Sequence, residues 1–142
     1  IPKGWSNKTF FYPDAIITYR DFMEAVSIAN NYKALPRDFD EAMVNNQITR
    51  IEAIQFLWET IGAPQPEGKK LEYADISEDN AQYKSVQYFT EKEWTMPWIS
   101  SDSLKPDKGI NRMEVAYLLD KTLQPFDKID ITVVPEKRTI AE

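Results

Sequence analysis

Two arginines, two glutamates and a set of tryptophans are the residues in this chain whose types and spacing could do chemistry. Arg50 and Arg112 each follow a residue suited to a helix cap, Thr49 or Asn111, and each stands two positions before an acid, Glu52 or Glu114. An arginine at a helix start, beside backbone amides that lack intrahelical partners, makes a reasonable anion site. The competing reading is that the arginine stem covers apolar surface while its head meets an acidic neighbour. Glu52 and Glu114 could be drawn as an acid and base for glycoside cleavage. Each is already explained by its helix start, however, and a committed residue is a poor proton-transfer group. Trp94 and Trp98 flank Pro97 ahead of Arg112. With Trp5, Tyr73, Tyr83 and Tyr88 they offer platforms on which sugar rings stack. Trp58, on the apolar face of its helix, is read as core. Asp38, Asp40 and Glu41 have an Asp-x-Asp spacing without the Gly turn or the twelfth-position Glu of a calcium loop, so they read as a solvated helix start.

Composition narrows the chemistry further. The 142 residues contain no His and no Cys. A histidine base, a Ser-His or Cys-His nucleophile, a disulfide and a Cys/His zinc site are therefore excluded. No metal or cofactor is implied. With 17 Lys+Arg against 23 Asp+Glu the formal net charge is −6. That balance argues against sequence-independent nucleic-acid binding, which needs a basic surface to displace counterions. No stretch approaches the roughly 18 apolar residues of a membrane span. The chain opens at Ile1 without a signal-like segment, so it reads as a processed product or an excised piece. Asn7-Lys8-Thr9 matches the glycosylation sequon, a short pattern that assigns no modification.

The elements that must position these groups come from an internal repeat. Ile17-Thr18-Tyr19-Arg20-Asp21-Phe22 matches Ile48-Thr49-Arg50-Ile51-Glu52-Ala53 and Ile110-Asn111-Arg112-Met113-Glu114-Val115. Thr18, Thr49 and Asn111 suit the cap position, and Asp21, Glu52 and Glu114 stand three residues on, where a capping box closes. Asp21 is shorter and fits that box less well. Ile17, Ile48 and Ile110 can staple onto Phe22, Ala53 and Val115. Helical stripes follow: Phe22, Ala25, Val26 and Ala29; then Ala53, Ile54, Leu57, Trp58 and Ile61, stopped by Gly62 and Pro64; then Val115, Leu118, Leu119 and Thr122. A fourth helix is expected across Glu78 to Glu93, capped by Ser77 or Asp79, with Val86 and Phe89 inward. Pro36 is expected to open a short helix running to Met43. Residues 64–70 and 100–109 read as polar loops. Ile129 to Val134 reads as a strand that must pair here or in a neighbouring domain, and Glu136 to Glu142 as a polar tail.

The repeat resembles the S-layer homology family, whose module carries an Ile-Thr-Arg-Ala-Glu helix start preceded by a Phe-x-Pro turn. Phe11-Tyr12-Pro13-Asp14 stands ahead of Ile17 and Leu104-Lys105-Pro106-Asp107 stands ahead of Ile110 with the same spacing. Tyr73-Ala74-Asp75-Ile76 looks like the Phe-x-Asp-Val start of such a module. Residues 73–123 resemble one full module, residues 4–31 the closing half of another, and residues 33–62 a shortened one. The resemblance implies a helical prism that binds bacterial secondary cell-wall polymers, in many members polymers carrying pyruvate ketals. The motif arginine, here Arg50 and Arg112, would lie near the carboxylate. Tyr19 replaces it in the first copy. Ala81 stands where the module usually has a Trp, and Glu93 where it usually has a Gly.

The expected fold is thus mainly α, with repeated helix-turn-helix units packed as a prism over residues 1–125 and a strand-like tail over 126–142. The expected function is non-catalytic: anchoring at the bacterial cell surface through an anionic cell-wall polysaccharide. Arg50 and Arg112 would contact the anion, helped by helix-start amides, and Trp94 or Trp98 would pack on a sugar ring. Other envelope or surface-layer proteins are further expected partners. The alternative is a protein–protein assembly module that keeps the fold and has lost the glycan. Ala81, Glu93, Tyr19 and the tail strand, which can add to a neighbour's sheet, support that alternative.

Overall fold

A computed structural model describes residues 12–38 and 40–124. Over these residues the protein is mainly helical: α1 spans Tyr19–Ala29, α2 Arg50–Thr60, α3 Tyr83–Glu91 and α4 Arg112–Thr122, with a 3-10 turn at Glu41–Met43. Among the described residues there is no β-strand, only three isolated antiparallel bridges: Ile16 with Asn111, Thr18 with Gln47, and Thr49 with Gly109. The expected tail strand, the polar tail, Trp5 and Asn7-Lys8-Thr9 lie outside the described residues.

The three repeated helix starts fold as their residue types dictate. Thr18, Thr49 and Asn111 each accept the amide three residues on. Glu52 and Glu114 reach back to complete capping boxes, while the shorter Asp21 does not. Helix α4 ends with the Gln124 amide donating to the Leu119 carbonyl. Helices α1, α2 and α3 share a turn in which a residue of positive φ precedes an amide that donates to the carbonyl five residues back: Tyr32 to Ser27, Ala63 to Trp58 and Trp94 to Phe89. That turn needs a left-handed residue. Gly62 supplies it at φ 99°, whereas Asn31 and Glu93 adopt it at φ 58° and 62°.

Helix α2 packs against both α3 and α4, and α1 against α4. Helix α2 is accordingly buried on most of its circumference, through Ile51, Ala53, Ile54, Phe56, Leu57 and Trp58. Trp58 is core, as its stripe predicts, and its indole N–H donates to the Pro64 carbonyl at 2.8 Å. Phe22 meets Phe56 edge to face at 5.7 Å, joining α1 to α2. Val86 and Phe89 point into the core from α3.

Two expected boundaries are corrected. Helix α3 begins at Tyr83 rather than near Glu78, because Ser77 and Asn80 turn back to accept the amides of Asp79 and Gln82. The helix expected from Pro36 shrinks to the turn at Glu41–Met43, which Asp40 caps through the Ala42 amide. Asp40 is therefore a cap. No cluster of three or more acidic groups suited to a metal occurs among the described residues.

Candidate functional site

The three helix starts meet. The Ile17 amide donates to the Ile110 carbonyl at 3.2 Å, Ile110 to Ile48 at 2.9 Å, and Ile48 back to Ile17 at 3.2 Å. This closed ring of three hydrogen bonds brings together residues separated by up to 93 positions (110 − 17). The three isoleucine side chains are buried on its inner side. Just outside, Ile16, Gln47 and Gly109 converge. A Cβ on Gly109 would lie 2.8 Å from Ile16 Cγ2 and 3.3 Å from Gln47 Oε1, so a side chain here would force its neighbours to shift.

The ring consumes the helix-start amides. Tyr19 and Arg20 donate to the carbonyls of Asn46 and Val44, Arg50 and Ile51 to those of Lys108 and Pro106, and Arg112 and Met113 to those of Ala15 and Pro13. The next amide in each helix is held by its cap side chain. The expectation that these amides would hold an external anion is corrected: carbonyls of the adjoining copy occupy them.

Cross-copy side-chain contacts follow the same order. Arg50 is 5% exposed. Its Nε and Nη2 grip the two oxygens of Glu114 at 3.3 and 2.5 Å, and its Nη1 donates to the Leu104 carbonyl at 2.9 Å. Tyr19, in the equivalent position of the first copy, bonds Glu52, the capping-box acid of the second. Burial, and then the bond and charge of Glu52, push the Tyr19 phenol well above its ordinary value. Arg50 is thus paired with an internal carboxylate in the manner expected for an external one. Arg112 lies half-buried at the start of α4.

Glu114 is the junction between this interior and the surface. It is 1% exposed and serves three groups: the Asn111 amide, the Arg50 guanidinium, and the indole N–H of Trp98, which donates to Oε2 at 3.2 Å. Trp98 is nevertheless 44% exposed. Its ring sits edge to face on Tyr117 at 5.4 Å, and the Lys121 ammonium lies 5.4 Å from the centre of that same Tyr117 ring. Glu114, Tyr117 and Lys121 share one stripe of α4 at spacings of three and four. Trp94 is different. It is half-buried at the end of α3, edge-on to Tyr88 at 5.7 Å and to Phe89 at 5.4 Å.

Of the four residues expected to bind ligand, Arg50 and Trp98 are therefore joined through Glu114, while Trp94 packs at the end of α3. Tyr117 and Lys121 were missed by sequence reasoning. Their signal was present as an aromatic and a cation at i and i+4, but nothing in the sequence tied that pair to Trp98. No protein family, curated protein or solved structure matches this chain.

Proposed function

We propose that this chain is a non-catalytic module that anchors a larger protein at the bacterial cell surface by binding an acidic cell-wall polysaccharide. The observation that carries the reading is Trp98, a large aromatic left 44% exposed while its one donor is tied inward to Glu114. An indole so tethered has no hydrogen bond left to donate, so what it exposes is apolar ring surface. Such a face suits the C–H face of a pyranose. The ring of three capped helix starts adds support, since it gives a physical reason for the recurrence of the motif that resembles the S-layer homology helix start. Arg112 remains a candidate contact, and Arg50 acts from beneath by fixing Glu114.

The assembly alternative rests on one observation of its own. The motif arginine and the helix-start amides are satisfied within the chain, as they would be in a module that kept its fold and lost its anion. Pull-down on isolated bacterial sacculi, before and after hydrofluoric-acid stripping of attached polymers, separates the two. Binding to intact walls that is lost on stripping and in Trp98→Ala supports the anchor. A folded protein that ignores intact walls supports assembly, and a protein partner becomes the target.

A further inference from the structure

Tyr117 and Lys121 have no part in the repeat motif, yet α4 sets Tyr117 against Trp98 and Lys121 against Tyr117. We infer that Lys121 is the residue that makes the Trp98 site select for negative charge, with Tyr117 as the spacer that holds indole and ammonium on one rim. This rests on the glycan reading above and adds the determinant of charge preference to it.

Three observations carry it. The Arg50 guanidinium cannot select an external acid, because three of its nitrogens already donate to Glu114 and to the Leu104 carbonyl. Glu114, the acid beneath Trp98, is in turn matched by Arg50 in a bidentate pair, so the floor of the site presents no unbalanced charge. Lys121, one helical turn beyond Tyr117, places its ammonium on the ring that also supports Trp98. Tyr117 thus links indole and ammonium, so an acidic substituent on a pyranose stacked on Trp98 is the group the Lys121 stem would turn to meet, and among the described residues that ammonium makes no hydrogen bond or ion pair. Tyr117 stabilises the ammonium without neutralising it, since the ring contributes a quadrupole and no charge.

The test uses the full chain and polysaccharide released from Gram-positive sacculi by hydrofluoric acid. The polymer is offered native and after its carboxylates are capped as methylamides, and binding is followed by calorimetry for wild type, Lys121→Gln and Trp98→Ala. The expected result is that wild type prefers the native polymer about fivefold, the size of one solvent-exposed ion pair. That preference should shrink in 0.5 M salt. Lys121→Gln should lose most of that preference and bind both polymers close to the strength with which wild type binds the capped one, and Trp98→Ala should bind neither. A Lys121→Gln protein that keeps the wild-type preference overturns the inference and leaves the glycan reading standing. Lys121 would then act only on Tyr117, and the variant would show a lowered melting temperature without a change in selectivity. A folded wild type that binds neither polymer overturns both.

Discussion

At the scale of single residues, the decisive group is Arg50. A buried arginine whose carboxylate partner is removed, or a buried carboxylate whose arginine is removed, leaves an uncompensated charge in a poorly solvated place. Arg50→Ala should therefore lower stability by about 3–5 kcal/mol in urea denaturation. A surface role for Arg50 would instead predict a loss within about 0.5 kcal/mol. Glu114→Gln should blue- or red-shift Trp98 emission even without ligand, because the indole loses its carboxylate acceptor. An unchanged spectrum would detach Trp98 from the interior. The capping residues were legible from sequence because a cap is a local affair of four residues. The pairing of Arg50 with Glu114 was not, because it joins positions 64 residues apart and depends on how the copies close on each other.

At the scale of elements, helix ends and loop anchors carry the testable content. Glu93 occupies a left-handed position at the end of α3 with its side chain exposed. Glu93→Gly should raise stability by about 1 kcal/mol, the strain a side chain incurs there. A destabilised variant would show that the carboxylate has a contact worth more than the strain. Two further carboxylates hold loops by accepting backbone amides. Asp75 accepts Leu104 at 3.0 Å, Lys105 at 2.8 Å and the Ser103 hydroxyl at 2.9 Å. Glu91 accepts the amides of Glu67, Gly68 and Lys69 at 2.7–2.9 Å. Burial alone would raise both acids. The amide and hydroxyl donors outweigh it, and both are held below their ordinary values. A depressed carboxylate contributes stability that is complete above its unfolded value, near 4, and is lost as pH falls through the folded one. Hydrogen exchange of the Leu104, Lys105 and Gly68 amides should therefore accelerate below about pH 4 relative to the helix interiors. Protection that persists there would remove the carboxylates from the account. The sequence marked 64–70 and 100–109 as loops through Pro, Gly and polar residues, but the acids that pin them come from elsewhere in the chain.

At the scale of the whole molecule, the amides of Ile17, Ile48 and Ile110 form one closed ring, so none of the three helix starts is completed without the other two. The three amides should exchange by the same cooperative opening, with equal free energies within error in native-state hydrogen exchange. Clearly unequal values would mean that the copies open separately. Gly109, beside the ring, has no room for a Cβ against Ile16. Gly109→Ala should destabilise by about 1–3 kcal/mol, the usual cost of overpacking, and Ile16→Ala should recover part of the loss in a double-mutant cycle. Additive losses would mean that the clash lies elsewhere. The mainly helical class was readable from three amphipathic stripes with caps and stops. The convergence of the three starts was not, because one-dimensional spacing reveals recurrence without revealing which backbone groups pair.

The proposed function stands or falls on whether the exposed indole tied to Glu114 and Arg50 binds an acidic wall polysaccharide. The most direct measurement is the fraction of folded protein that sediments with intact Gram-positive sacculi, for wild type and Trp98→Ala, with polymer-stripped sacculi as the control. Wild type should sediment with intact walls and stay in solution with stripped walls, and Trp98→Ala should lose at least about tenfold in affinity, as truncation of a central aromatic anchor typically does. Equal sedimentation of wild type and Trp98→Ala, or a folded wild type that remains in solution with intact walls, would contradict it.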